Sequence, residues 1–209
     1  MSRRAWLLLA VAAAAGLMAG VAIQLAHRTN AAAPPLPELH GQGVWAAGAR
    51  PAPDFALRDQ SGTLVSLRAL RGHTVLLTFL DSQCHSSCPI VGRQLGSVLR
   101  RLAPAARPVV VVVSVDPKGD TPAEIRHALA TWQLQGPWML HWVNGSSRAQ
   151  LARVWSRYGV VVQPKSNDVV HSLALYLIDR RGDERTAYLF PFLPSFVQRD
   201  LTHLAQPRA

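Results

Sequence analysis

The only two cysteines of this 209-residue chain, Cys84 and Cys88, lie four positions apart between a predicted strand and a predicted helix. Residues 75–80 form an apolar run of strand length, and Pro89 opens a segment whose apolar residues recur with a helical period. The free N–H groups and the dipole at a helix start favour a thiolate, which is the form that attacks disulfides or binds metal. The spacing therefore indicates a redox pair or a site for one soft metal ion.

A static structural disulfide is the alternative for this pair. A bond across so short a loop would stabilise the fold little through chain entropy, and the position at a strand-to-helix junction favours a chemical role. The order Cys84-His85-Ser86-Ser87-Cys88 is also not that of haem attachment, which needs a histidine after the second cysteine. His85 is interpreted as a partly exposed loop residue.

The rest of the sequence predicts strands that alternate with helices around these cysteines. Alternating segments at 55–59 and 63–67 predict a hairpin, and the valine-rich run 109–115 predicts a central strand buried on both faces. Further strands are predicted at 138–143, 172–178 and 185–189, and further helices at 121–132, 146–158 and 193–204. This order predicts an α/β fold with one central mixed sheet flanked by helices.

The first part of the chain predicts export. Residues 5–25 follow a pair of arginines, are apolar except for Gln24, and are long enough to cross a bilayer. We therefore expect residues 1–28 to be a membrane anchor or signal, 29–51 a flexible tether and 52–209 one folded domain. The expected location is the cytoplasmic (inner) membrane, crossed once, with the soluble domain in the periplasm. Cleavage after the small residues 31–33 is the alternative to an uncleaved anchor.

The charge of the chain points to protein or membrane partners. The formal net charge is +10, and most of the basic residues are arginines scattered outside the first 30 residues. Because there is no dense basic run, an anionic lipid surface or an acidic protein is favoured over nucleic acid as a partner. The sequence also lacks phosphate-binding glycine loops, a nucleophile elbow and the zinc-protease motif, so it gives no support to those activities.

Four motifs of the chain resemble those of the Sco (SenC) family, in that family's order and spacing. They are Phe55-x-Leu57-x-Asp59-x-x-Gly62, Cys84-x-x-x-Cys88-Pro89, Val113-Ser114-Val115-Asp116-Pro117-x-x-Asp120-Thr121-Pro122 and His171-Ser172-x-x-x-Tyr176-Leu177-x-Asp179. The resemblance covers roughly residues 52–205. It implies a thioredoxin-like fold with an extra hairpin.

The resemblance also implies a ligand set and a function. It assigns one copper ion, as Cu(I) or Cu(II), to Cys84, Cys88 and His171, and thiolate with imidazole is a donor set that suits copper. The implied function is that of a metallochaperone that delivers copper to the binuclear copper centre of cytochrome c oxidase during its assembly. The implied partner is the copper-carrying subunit of that oxidase.

A second function remains open, which is extracytoplasmic thiol–disulfide exchange that keeps partner cysteines reduced. In that case Cys84 is the attacking thiolate and Cys88 the resolving thiol. Val170 stands where the family usually has an aspartate before the histidine, which removes one way of orienting the ring; Asp81 and Asp168 are candidates to replace it. A copper- or redox-sensing module that signals through a membrane partner is a third possibility.

Overall fold

The computed structural model describes residues 39–165 and 169–206, together with Gly16, Met18 and Gly20. Apart from those three positions, the expected anchor and the first part of the expected tether lie outside the described residues, as does Asp168. Within the part that is described, no helix combines the length and the apolar character needed to cross a membrane.

Ten strands and four α-helices make up the described chain. The strands are β1 Gly43–Val44, β2 Ala56–Asp59, β3 Leu64–Ser66, β4 Val75–Leu80, β5 Val109–Ser114, β6 Leu140–Asn144, β7 Val162–Pro164, β8 Val169–His171, β9 Ala174–Ile178 and β10 Glu184–Leu189. The helices are α1 Ser87–Arg101, α2 Pro122–Thr131, α3 Arg148–Arg157 and α4 Pro194–Ala205, and a short 3₁₀ turn covers Pro104–Ala106.

Eight of the strands form one mixed sheet in the order β1-β10-β9-β4-β5-β6-β2-β3. Strands β4, β5 and β6 are parallel, while β9 runs antiparallel to β4 and β10 antiparallel to β9. The predicted β2–β3 and β9–β10 hairpins are both present. The prediction of an α/β fold with one mixed central sheet is therefore confirmed.

The core lies on both faces of the two central strands, β4 and β5, which are buried along their whole length. Side chains on one face of the sheet, such as Leu76 and Val110, pack with helices α1, α2 and α4. Side chains on the opposite face, such as Leu77 and Val111, pack with α3. This arrangement confirms that the valine-rich run is a central strand, and it fixes the end of β4 where the cysteines begin.

The segment before residue 52 is more ordered than a flexible tether. Leu39 is buried in the core, and β1 pairs with β10. Arg50 forms an ion pair with the fully buried Glu184. Residues 39–51 are thus part of the folded domain, because β10 has an open edge that β1 fills and a buried carboxylate that needs a cation.

The strand at His171 also differs from the prediction of one strand starting directly after it. His171 is the last residue of β8, which pairs with β7 in a separate two-stranded hairpin. Ser172 bonds back to Val161 through both its amide and its hydroxyl, at 3.0 and 3.2 Å. These bonds hold the chain in the hairpin until β9 begins at Ala174, and the hairpin carries His171 over the end of β4.

Candidate metal and redox site

The two cysteines lie on a tight loop between β4 and α1. The loop begins after Leu80, and the amide of Cys84 donates to the carbonyl of Asp81 at 3.2 Å. Helix α1 begins at Ser87, so Cys84 precedes the helix and Cys88 lies in its first turn. Neither cysteine is in a disulfide; Cys84 is half-buried and Cys88 is fully buried.

A buried aspartate from outside the loop holds the loop in place. One carboxylate oxygen of Asp120 accepts the amide of Ser82 at 2.7 Å, and the other accepts the indole N–H of Trp142 at 3.1 Å. The cap of α2 is the next residue, Thr121, whose hydroxyl accepts the amide of Glu124. Asp120 instead joins the cysteine loop to β6.

The two sulfurs have opposite acidities because they share a hydrogen bond. The thiol of Cys88 donates to the sulfur of Cys84, which also accepts from the hydroxyl and amide of Ser86 and from the amide of Cys88. These donors lower the pKa of Cys84 to about 4 against the opposing effect of its burial. The same hydrogen bond, with burial, raises the pKa of Cys88. At neutral pH the site therefore holds one thiolate and one thiol.

The imidazole of His171 lies beside the buried thiol. Its Nε2 is 3.5 Å from Sγ of Cys88, although 83 positions separate the two residues. Its Nδ1 is 3.1 Å from the carbonyl oxygen of Ser172. A carbonyl only accepts hydrogen bonds, so Nδ1 carries the proton and the lone pair of Nε2 is directed towards Cys88. The Ser172 carbonyl thus orients the ring at a position where Val170 replaces the expected carboxylate.

Asp81, the other candidate for orienting that ring, has a different partner. Its carboxylate accepts the amide of Gln83 at 2.8 Å and is only 3% exposed. Burial raises the pKa of Asp81 to about 6, and the nearby charges of Asp120, Asp116 and Cys84 act in the same direction. Asp81 is thus a buried acid that lies near the thiolate of Cys84, and the acid itself titrates close to neutral pH.

The donor atoms of these residues fit a soft, thiophilic metal. Over residues 39–165 and 169–206, no three His, Cys, Asp or Glu side chains are grouped closely enough to hold a metal ion as they stand. The structure does bring Cys88 into contact with both Cys84 and His171. Two sulfurs and one imidazole nitrogen suit copper and disfavour hard cations. Closing the site requires the approach of Cys84 to His171.

The motifs around this site belong to a described protein family. The SCO1/SenC family profile matches residues 46–206, which is well over half of the chain. The chain belongs to the SCO1/SenC family. Among curated proteins, the SCO1 protein homolog of Bacillus subtilis (strain 168) is 26% identical over 147 residues, covering 64% of this chain and 75% of that protein.

Solved structures of Sco proteins have the same fold. The copper-bound structure of ScoI from Bradyrhizobium japonicum is 28% identical, with a TM-score of 0.60 over 75% of this chain and 99% of that one. BsSco, described as a member of the Sco family of cytochrome c oxidase assembly proteins, is 19% identical, with a TM-score of 0.66 over 80% of this chain and 100% of that one. The predicted thioredoxin-like fold is thereby confirmed.

Proposed function

We propose that this SCO1/SenC protein holds one copper ion with Cys84, Cys88 and His171 and passes it to a partner protein. The observation that carries the proposal is the contact of His171 Nε2 with the sulfur of Cys88, which is itself hydrogen-bonded to the sulfur of Cys84. The copper-bound Bradyrhizobium ScoI structure supports copper as the metal.

The unequal burial of the two thiols suits an ion that must be released again. Cys88 is fully buried and gives up its proton when metal binds, so it is the more secure ligand. Cys84 is half-buried and already a thiolate at neutral pH, so it is the ligand that an incoming partner reaches. Transfer would proceed by exchange of Cys84 for a ligand of the partner.

The recipient that we propose is the copper-carrying subunit of cytochrome c oxidase, at its binuclear copper centre. The description of BsSco as a member of a family of cytochrome c oxidase assembly proteins motivates this choice. We further propose that the apolar segment 5–25 anchors the domain to the cytoplasmic membrane, with the domain on the periplasmic side.

Anaerobic copper titration of the reduced full-length chain in detergent tests copper binding. We expect one Cu(I) per chain, and an affinity at least tenfold lower in Cys88→Ser and in His171→Ala. His127→Ala removes an exposed histidine on α2 and is the matched control, with unchanged affinity. Equal affinity in all four proteins would exclude the proposed ligand set.

Thiol–disulfide exchange is the second candidate function, favoured by the pKa of about 4 at the accessible Cys84. The Cys84 thiolate would attack a partner disulfide, forming a mixed disulfide and releasing one partner thiolate. Cys88 would then attack the Cys84 sulfur, and its proton would pass to the second partner thiolate. The partner gains two electrons and becomes one thiol and one thiolate, and the thiolate takes its proton from solvent. The Cys84–Cys88 pair becomes a disulfide, and a cellular dithiol reductant must restore it.

The reduction potential of the cysteine pair distinguishes the two functions. A rapidly exchanging pair with a potential near that of thioredoxin, about −270 mV, supports the reductase function. Slow exchange with a small-molecule disulfide, together with tight copper binding, supports the copper carrier. The measurement uses the unmodified full-length chain equilibrated in glutathione or dithiothreitol buffers.

A further inference from the structure

Lysine is rare in this chain, and its two lysines lie on one surface. Lys118 and Lys165 are the only lysines, against twenty arginines. Both line a cleft of about 1010 Å³ between the cysteine loop (residues 81–86), the β5–α2 loop, the first residue of α3 and the β7–β8 hairpin. We name this cavity the lysine cleft. The two lysines are 47 positions apart in sequence, so the fold itself brings them to the same cavity.

Among the residues that the structure describes, three cations and two carboxylates line the lysine cleft. Lys118 and Lys165 are exposed, and neither is in an ion pair with any residue that the structure describes. Arg148 adds a third exposed cation, which lies over the ring of Trp155 at 5.3 Å.

The carboxylates of the lysine cleft already have partners. Asp81 is almost fully buried and accepts the amide of Gln83. Asp116 accepts the amide of Lys118 at 3.3 Å and so shapes its own turn. Each of these two acids accepts a backbone amide, whereas the exposed lysines have no ion-pair partner among the described residues. An occupant that carries carboxylates would complement the cleft.

The lysine cleft is next to the reactive sulfur. Ser86 lines it, and the hydroxyl of Ser86 lies 3.5 Å from the sulfur of Cys84. Its volume is at the upper end of the range of small-ligand pockets, which is about 300–1,000 Å³. An extended polypeptide segment fits a cleft of this size and shape, whereas a bilayer meets flat or protruding surfaces.

We propose that the lysine cleft docks an extended acidic segment of the partner protein. Lys118 and Lys165, with Arg148, bind the carboxylates of that segment. The metal- or thiol-accepting residue of the partner is thereby brought to Cys84. The identity of the cargo rests on the function proposed above, but the recognition of an acidic segment does not.

The test measures binding of a short fluorescein-labelled glutamate-rich peptide to the reduced, copper-free full-length chain in detergent, by fluorescence anisotropy at low salt. The matched probe has glutamine in place of every glutamate. We expect the acidic peptide to bind and the glutamine peptide not to bind. Binding should weaken as salt is added, because the contacts are exposed charges.

Charge-reversal variants locate the binding site. Lys118→Glu with Lys165→Glu should weaken binding of the acidic peptide roughly tenfold or more. The control is Arg126→Glu with Arg199→Glu, which makes the same change of charge at exposed helix positions outside the cleft and should have much less effect. Carbodiimide coupling of the bound peptide should link its carboxylates to Lys118 and Lys165.

Three outcomes would overturn the proposal. The first is that the acidic peptide does not bind, and the second is that the two double variants lose affinity for it equally. The third is that phosphatidylglycerol vesicles displace the peptide completely while phosphatidylcholine vesicles do not, which would assign the cleft to anionic lipid. A Cys84→Ser/Cys88→Ser chain should still bind the peptide. Failure of the copper or exchange function therefore leaves this result intact, and failure of docking leaves copper binding intact.

Discussion

At the scale of single residues, one hydrogen bond between two sulfurs gives the cysteines different chemistry. Cys84 accepts it together with donors from Ser86, while Cys88 donates it from a fully buried position. A helix start alone would lower the pKa of both thiols. Cys84 lies just outside α1 and accepts the hydrogen bond, whereas Cys88 lies in the first turn of α1 and donates it.

The first prediction concerns the ionisation of Cys84. Alkylation by iodoacetamide, followed against pH on the reduced chain, should report a thiolate that titrates near pH 4. In Cys88→Ala the largest cause of the low pKa is gone, so the midpoint should move towards the value of an ordinary thiol, about 8.5. An unchanged midpoint in Cys88→Ala would show that the sulfur–sulfur hydrogen bond does not set this pKa.

The second prediction concerns the pH dependence of stability at Asp81. Its folded pKa is raised to about 6 from the usual value of 3.8, so between these pH values the folded chain binds more protons than the unfolded chain. The contribution of Asp81 to the free energy of unfolding therefore falls as pH rises from about 4 to about 6.

Asp81→Asn imitates the protonated acid and keeps an oxygen that accepts the Gln83 amide. The free energy of unfolding of this variant, measured with urea, should exceed that of the unchanged chain by an amount that grows by on the order of 2 kcal/mol between pH 4 and pH 7. A difference that is independent of pH would contradict the raised pKa.

At the scale of elements, the strands of the β7–β8 hairpin are the part of the site that we expect to move. The hairpin has two strands of three residues, lies outside the main sheet and exposes Val170 to solvent; Val161, just before β7, is also exposed. Isolated two-stranded hairpins are marginally stable. Since His171 is on this hairpin and the cysteines follow the buried strand β4, we expect the hairpin to supply the movement that closes the proposed donor set.

The third prediction follows from that arrangement. In hydrogen exchange followed by mass spectrometry, the amides of β7 and β8 should exchange much faster than those of β4 and β5. One equivalent of Cu(I) should slow exchange in the hairpin of the reduced chain, because the metal ties His171 to the sulfurs. His171→Ala should abolish this protection. Protection that persists in that variant would show that copper does not act through His171.

Most of the sheet could be predicted from local pattern, whereas the hairpin could not. Strands β4 and β5 are continuous apolar runs, and the β2–β3 and β9–β10 pairs have turn residues between alternating segments. Strands β7 and β8 have three residues each, too few for a period to be recognised. Strand β1 has two residues and is defined only by its pairing with β10.

The site could be predicted in part for a similar reason. The spacing of the cysteines before a helix is a local signal, and the lowered pKa of Cys84 agrees with it, whereas the raised pKa of Cys88 does not. The approach of His171 to Cys88 and the bonds from Asp120 to Ser82 and Trp142 join residues that are far apart in sequence. They depend on which strands are neighbours, and no local pattern carries that information; for His171 the family motifs supplied it.

At the scale of the whole molecule, the folded domain includes the segment from residue 39 to residue 51. His40 donates its amide and its ring Nδ1–H to the fully buried carboxylate of Asp200, at 2.9 and 2.6 Å. At the other end of the segment Arg50 pairs with the fully buried Glu184. Two buried carboxylates therefore depend on a segment whose composition is that of a linker.

The fourth prediction compares chains that begin at residue 39 and at residue 52. The shorter chain should lose several kcal/mol of unfolding free energy in urea, since Glu184 left buried without its cation costs roughly 3–5 kcal/mol. Asp200 loses both bonds from His40 and keeps the hydroxyl of Tyr188 as a donor. Adding Glu184→Gln to the shorter chain should recover part of that loss. Equal stability of the two chains would show that the segment is a tether after all.

The convergence of two sulfurs and one imidazole on a single copper ion is the central claim. Copper K-edge X-ray absorption of the reduced chain loaded with one Cu(I) counts these ligands directly. We expect two sulfur neighbours and one imidazole nitrogen, one sulfur fewer in Cys88→Ser, and loss of the imidazole signal in His171→Ala. A His171→Ala spectrum identical to that of the unchanged chain would contradict the claim.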